Sequence, residues 1–168
     1  MKHTENLRIG ILGTGHIGKT LARTLASAGH RVRVANSRGP ETIAAEVLAT
    51  GAVATDAAAA LAEVQVVILS VPLTRLSDLV PLIQQLPEDV IIADTSNYYP
   101  HRDGTISAIV NGQVESLWVA GLLGRPIVKA WNAIGSDSLV KKGLSGKSAA
   151  RLAIPVAGDT LQRRTVIM

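Results

Sequence analysis

The chain has 168 residues, a net charge of +4, no cysteine and four histidines without close pairing, which excludes a disulfide scaffold, a thiolate metal site and cysteine catalysis and leaves no metal signature. Hydrophobic residues make up 47%, aromatics only 2%, and phenylalanine is absent, so the core must be Val, Ile, Leu and Ala, which suits helices lying close on a buried sheet. The mean hydropathy of +0.28 argues against disorder, and a domain usually takes ~100–200 residues, so residues 1–168 are expected to form a single domain.

Short apolar runs alternate with helical patterns along the chain. Leu7 to Leu12 reads as a strand, and Ile17, Leu21, Leu25 and Ala28 recur at helical spacing behind it. Gly29 ends that helix, and Arg31 to Ala35 reads as the second strand. A helix is predicted from Pro40 to about Thr50, followed by a weak strand over Ala52 to Ala54. Asp56 can cap an alanine-rich helix that ends near Glu63, and Val64 to Val71 is a strongly apolar strand. A helix from Thr74 to Leu86 is predicted to bend near Pro81, and Val90 to Ala93 is the fifth strand. Thr95 to Gly104 reads as a polar loop, with two weaker helical patterns between Ile106 and Leu123. Pro126 to Ala130 is a sixth strand, Ser136 to Lys142 a short helix or loop, and Arg151 to Ala157 a seventh strand, with a last helix beginning at Gly158.

This alternation predicts an α/β fold, a doubly wound and mostly parallel sheet of the Rossmann type, with ligands at the C-terminal ends of the strands. Gly13-Thr14-Gly15-His16-Ile17-Gly18 fits G-x-G-x-x-G. It follows a strand and opens a helix, the context that gives the pattern meaning. Gly13 permits the tight turn, Gly15 lets the backbone approach a pyrophosphate, and Gly18 lets the helix pack close. The helix N-terminus then offers free N–H groups to phosphate. The backbone N–H of His16 suits that task, and its imidazole reads as a solvent-facing turn residue rather than a catalytic group.

An NAD site usually places a carboxylate at the end of the second strand. Here that end reads Val34-Ala35-Asn36-Ser37-Arg38, with no acid before Glu41. The Arg38 fork can pair with a 2′-phosphate, and Asn36 and Ser37 can add hydrogen bonds, so the expected cofactor is NADP. Ser70, Val71 and Pro72 end the fourth strand, where they either border the dinucleotide or simply terminate the strand. Asp94 and Lys129 would form a structural ion pair if the fifth and sixth strands are neighbours. Ser96, Asn97 and Asn132 could hold a carboxamide. Tyr98, Tyr99 and Trp131 lie at the same mouth, and either stack on a flat acceptor or pack a loop.

No Ser-Tyr-Lys arrangement or His-carboxylate pair is evident, so no residue is assigned as a general acid. A planar redox acceptor would relax that need, because the cofactor carries the chemistry. The positive charge gathers between Arg125 and Arg164, where Asp137 and Asp159 are the only acids. No aromatics interleave with it, so a base-stacking nucleic-acid surface is not expected. A small polyanion or a solvated basic face accounts for it equally well. No run approaches the ~18 apolar residues of a membrane span, and the apolar start is too short for a signal peptide. A cytoplasmic protein without a membrane partner is expected.

The segments GILGTGHIGKTLARTLASAGHRV, VANSRGPE, VILSVP, IIADTSN, IVKAWNAIG and IPVAGD, in this order, resemble the deazaflavin-dependent NADP oxidoreductases. They are also similar to the cytosolic reductase domain of six-transmembrane metalloreductases. The resemblance implies hydride transfer between NADPH and a bound deazaflavin or flavin. By position it implies NADP contacts from Thr14, Gly15, His16, Ile17, Ser37 and Arg38, and backbone contacts near Val71 and Ala130. Thr42 stands near where some members carry a further basic residue. Family members continue through further strands and a last helix that shapes the acceptor pocket and a dimer contact, whereas this sequence stops at Met168, so a truncated chain and a possible homodimer are both expectations. A non-catalytic NADP-binding regulatory module, and the cofactor domain of an imine or hydroxyacid reductase, are the alternatives.

Overall fold

The computed structural model describes residues 6–141 and 152–168. Its sheet has seven strands: β1 (Arg8–Leu12), β2 (Arg31–Ala35), β3 (Val53–Ala54), β4 (Val66–Leu69), β5 (Ile91–Asp94), β6 (Ile127–Ala130) and β7 (Val156–Gly158). They lie in the order β3-β2-β1-β4-β5-β6-β7. Strands β1 to β6 run parallel and β7 runs antiparallel to β6. This is the doubly wound Rossmann order with an added edge strand. The winding reverses between β1 and β4, which opens a crevice at their C-terminal ends.

Side chains alternate across each strand, and both faces are covered. On one face Leu12, Val67, Leu69, Ile92 and Ile127 meet Leu73, Leu76, Ile83, Val119 and Leu123. The helices there are α3 (Ala57–Leu61), α4 (Val80–Ile83) and α7 (Glu115–Leu123). On the other face Ile9, Ile11, Val32, Val34, Val66 and Ile68 meet Leu21, Ala22, Ile43 and Val47. These belong to α1 (His16–Ser27), α2 (Ala45–Leu48) and the turn before α2. Helices α8 (Ser136–Lys141) and α9 (Leu161–Ile167) add Leu139 and Ile167 on that side. The five central strands β1, β2, β4, β5 and β6 bury aliphatic side chains in both clusters, as the near-absence of aromatics requires.

The elements depart from the sequence expectation in four places. The helix expected over 40–50 is a 3-10 turn (Pro40–Thr42) followed by one turn of α2. Ile43 and Ala44 between them have extended backbone, with ψ of 119° and 139°, and that break turns Ile43 into the core, where it is 7% exposed. The helix expected over 74–86 is a 3-10 helix (Leu73–Leu79) that passes into α4. Pro81 has no N–H for the Ser77 carbonyl, and the Val80 N–H takes that carbonyl by a tighter bond. The polar loop contains a helical turn, α5 (Pro100–Asp103), ahead of α6 (Ser107–Val110). The seventh strand begins only at Val156, because its pairing with β6 spans just Val128 to Ala130. Arg151 and Lys142 lie outside the described residues.

Gly10 shows how closely helix and sheet approach. A Cβ there would lie 2.3 Å from the carbonyl oxygen of Ala60 in α3. That helix is fixed by its cap, the Asp56 carboxylate accepting from the Ala59 N–H at 2.8 Å. Gly10→Ala is expected to cost ~1–3 kcal/mol through overpacking, read as a lower urea midpoint at unchanged slope. An unchanged midpoint would mean that α3 can withdraw freely.

Candidate functional site

The glycine turn is built by contacts at two of its three glycines and by open space at the third. Gly13 has φ +103°, and a Cβ on it would sit 2.1 Å from the Ser70 carbonyl oxygen. The neighbouring strands pin it, with Gly13 N–H donating to Ala35 O at 2.8 Å and Ser70 N–H donating to Leu12 O at 2.8 Å. A Cβ on Gly18 would lie 2.1 Å from the Gly13 carbonyl oxygen, whereas a Cβ on Gly15 would meet no protein atom within 4 Å. Helix α1 thus starts against the sheet with free space before its first turn. Gly15 is its N-cap, no side chain caps it, and no acidic residue lies in its first turn. Its leading N–H groups and the positive end of its dipole are left for an anion.

Two clefts meet at this turn. The narrower, about 390 Å³, runs from the turn to Asn36, Ser37 and Arg38 at the end of β2. The wider, about 700 Å³, runs to Ser96, Asn97, Trp131 and Asn132 at the ends of β5 and β6. Gly15, Ser70, Val71 and Pro72 line both, so the two form one groove across the switch point. Thr14 lines the narrow part, while His16 and Ile17 line the wide part.

At the β2 end Asn36 organises the turn. Its Oδ1 accepts from the Arg38 N–H at 2.9 Å, and its Nδ2 donates to Thr42 Oγ1 at 2.9 Å and Thr14 Oγ1 at 3.4 Å. The amide expected to face a phosphate is therefore largely spent on holding the loop. Ser37 and Arg38 are exposed. Arg38 lines the cleft, and among the described residues no carboxylate pairs with its guanidinium. The Asp78 carboxylate also lines this cleft, but it comes from the 3-10 helix after β4 and is paired with Arg75 at 2.8 Å. Arg75, Asp78 and Leu79 escaped the sequence reading, which ended that strand terminus at Pro72; the continuing short turn beyond a strand end was the available signal.

Beneath the wider cleft, Lys129 joins three elements. Its Nζ donates to Asp94 Oδ2 at 2.7 Å, to Glu115 Oε1 at 2.7 Å and to the Ser96 carbonyl at 2.5 Å. The Asp94 side chain has no exposure and that of Lys129 only 11%, so the expected ion pair is a buried brace. Asp94 also accepts from Ser96 N–H and Ser96 Oγ, both at 3.0 Å. The Ser96 hydroxyl thus donates to the brace, while Ser96 also lines the wider cleft. Asn97 Nδ2 donates to the Asn132 carbonyl at 2.8 Å, and Asn132 Nδ2 to Asn97 Oδ1 at 3.3 Å. The two residues are tied to each other, which leaves Asn132 Oδ1 and one N–H of each amide without a partner among the described residues, and both residues line the wider cleft. Ala130, where a backbone contact was expected, is fully buried and is not among the residues that line either cleft.

The aromatics divide. The Tyr98 hydroxyl donates to Gly104 O at 2.7 Å and accepts from Ile106 N–H at 3.0 Å, so it packs the loop. Tyr99 and Trp131 line the wider cleft. Trp131 has φ +59°, a conformation that non-glycine residues adopt at a cost and that clusters at ligand sites. Tyr99 lies under the Arg102 guanidinium at 5.0 Å.

Arg102 in turn clamps Asp103. Its Nε donates to Oδ1 at 2.8 Å and its Nη2 to Oδ2 at 2.7 Å, while Tyr99 N–H donates to Oδ2 at 2.9 Å. The Arg102 bond, helped by the Tyr99 N–H and opposed by burial, holds the Asp103 carboxyl below its usual 3.8. A lowered folded-state value stabilises the fold above the unfolded value, and that stability is lost as pH falls through the folded one. The stability advantage of the wild type over Asp103→Asn is expected to be constant above pH 3.8 and to shrink below it. Denaturation along an acid series measures it; an advantage growing toward low pH would contradict the clamp.

Comparison with known proteins agrees with this geometry. The model of the family "NADP oxidoreductase coenzyme F420-dependent" matches residues 8–98, from β1 through the Asp94–Tyr98 segment. No curated protein matches the chain. Among solved structures, a hypothetical protein from Sinorhizobium meliloti is 26% identical with a TM-score of 0.78, over 96% of this chain and 78% of that one. A protein provisionally named an F420-dependent NADP reductase, from Arthrobacter sp. FB24, has a TM-score of 0.75 at 20% identity, over 96% and 77% of the two chains; that likeness is one of fold. The 3-hydroxyisobutyrate dehydrogenase of Mycobacterium tuberculosis is 26% identical with a TM-score of 0.67, over 96% of this chain and 50% of that one. With the family match covering more than half its length, and the phosphate turn and the residues of the narrower cleft inside it, the chain belongs to the coenzyme F420-dependent NADP oxidoreductase family.

Proposed function

We propose that the protein transfers a hydride between NADPH and a planar redox acceptor of the deazaflavin or flavin class. One observation carries the reading. A guanidinium with no carboxylate partner among the described residues, that of Arg38, stands at one end of a continuous groove. The other end opens into a cleft of about 700 Å³ walled by Tyr99 and Trp131. The residues fit the dinucleotide, because space is open at Gly15 and the leading N–H groups of α1 are uncapped.

In this reading the first N–H groups of α1 hold the pyrophosphate. Arg38 presents its planar fork to the 2′-phosphate, and Ser37 adds a hydroxyl. Val71 and Pro72 shield the middle of the groove from water. The free amide atoms of Asn97 and Asn132 orient the nicotinamide, above a floor that Lys129 keeps fixed. When bound, the two ring systems supply the redox chemistry themselves. The chain's task is to hold them stacked, and none of its residues is assigned as a proton donor.

Stopped-flow mixing with a deazaflavin or flavin tests this. The wild type is expected to oxidise NADPH and to bind it at least about tenfold more tightly than NADH, a gap of ~1.4 kcal/mol. Arg38→Ala should erase most of that preference while the NADH reaction persists. Tight NADPH binding with no oxidation by any planar acceptor would contradict the proposal in favour of a regulatory module. Turnover of a small keto acid or imine instead would assign the groove to a different class of reductase.

A further inference from the structure

The charged groups that line the narrower cleft, among the described residues, are Arg38, Arg75 and Asp78. Arg38 and the helix terminus account for the 2′-phosphate and pyrophosphate in the reading above. Arg75 and Asp78 are so far without a task. A carboxylate in this cleft is a liability for a phosphorylated ribose, since like charges repel at close range. Its pairing with Arg75 cancels that charge.

The pair is built to come apart. It is a single Arg75 Nε to Asp78 Oδ2 contact at 2.8 Å, three residues apart on one short helix, with the two side chains 60% and 54% exposed. Exposed pairs of this kind contribute little. The terminal nitrogens of Arg75 make no hydrogen bond among the described residues, so its fork remains available for a phosphate, which pairs with guanidinium in bidentate fashion. The 3-10 helix that carries it is anchored below by Leu73 and Leu76, both fully buried, so the backbone position does not depend on the Arg75–Asp78 contact.

We propose that Arg75 is a second, specificity-determining cation for the 2′-phosphate, held by Asp78 until that phosphate displaces the carboxylate. The proposal rests on the NADP reading of the groove. Asp78 then acts as a competitor: it holds Arg75 through a single exposed contact and lowers affinity for the 2′-phosphate, which must displace it, while a cofactor without that phosphate is unaffected.

Titration of the full chain with adenosine 2′,5′-bisphosphate and adenosine 5′-monophosphate tests it, since the two ligands differ only in the 2′-phosphate. Arg75→Met is expected to reduce the preference for the bisphosphate by about three- to tenfold and to leave monophosphate binding unchanged. Asp78→Asn is expected to tighten bisphosphate binding by about two- to fivefold. An Arg75→Met protein with the wild-type preference would overturn the proposal, as would equal weakening of both ligands, which would assign Arg75 to the adenine. A wild type that does not distinguish the two ligands would overturn the NADP reading itself, and the proposal with it. Preference in the wild type that survives Arg75→Met removes the proposal alone.

Discussion

The groove depends on how closely the first helix meets the first strand. The Gly13 carbonyl sits where any side chain at Gly18 would have to go, and a side chain on Gly13 would collide with the Ser70 carbonyl. Each contact leaves no room for a methyl group. Together they press the start of α1 against the ends of β1 and β4, at the point where the winding of the sheet reverses. The consequence is electrostatic. A helix end that no side chain caps is delivered to the centre of a long groove, where its N–H groups can satisfy phosphate oxygens. A looser turn would set this helix end back from the groove and leave the two clefts as separate dents.

A second constraint supports the far end of the groove. Strands β5 and β6 finish in polar residues that would diverge if unbraced. Lys129 draws the carboxylates of Asp94 and Glu115 together with the Ser96 carbonyl, and Glu115 also accepts from the Tyr98 N–H at 2.7 Å. One buried ammonium thereby fixes the end of β5, the start of α7 and the loop that carries Tyr99. Buried ion pairs of this sort are poor sources of net stability, but breaking one leaves a costly unpaired charge, so the arrangement is held tightly. Its value to the site is the fixed position of Asn97 and Asn132 above it.

Much of this was legible in the sequence because it depends on local pattern. Alternation of apolar runs located the first six strands and the start of the last pairing at Val156 and Ala157, and the glycine spacing located the turn. Arg38 stood out because a carboxylate was missing from the end of β2. The Asp94–Lys129 pair followed from strand adjacency alone. What could not be read was how polar side chains spend their hydrogen bonds. Asn36, Ser96, Asn97 and Asn132 look alike in sequence as donors and acceptors near a ligand. In the fold, Asn36 ties a loop, Ser96 turns down to Asp94, and the two other amides partly satisfy each other. The interruption near Pro81 was legible from the proline, but the 3-10 form of the turns before it was not. The break at Ile43 was hidden because helical periodicity continues through it, and only the burial of Ile43 decides the backbone there.

The central claim is that the Arg38 end of the groove receives the 2′-phosphate while the start of α1 receives the pyrophosphate. A crystal structure of the NADP complex tests both at once. The account predicts 2′-phosphate oxygens within hydrogen-bonding distance of the Arg38 guanidinium, and pyrophosphate oxygens on the N–H groups that follow Gly15. A cofactor bound with its 2′-phosphate in solvent, or with its pyrophosphate away from that helix end, would contradict it.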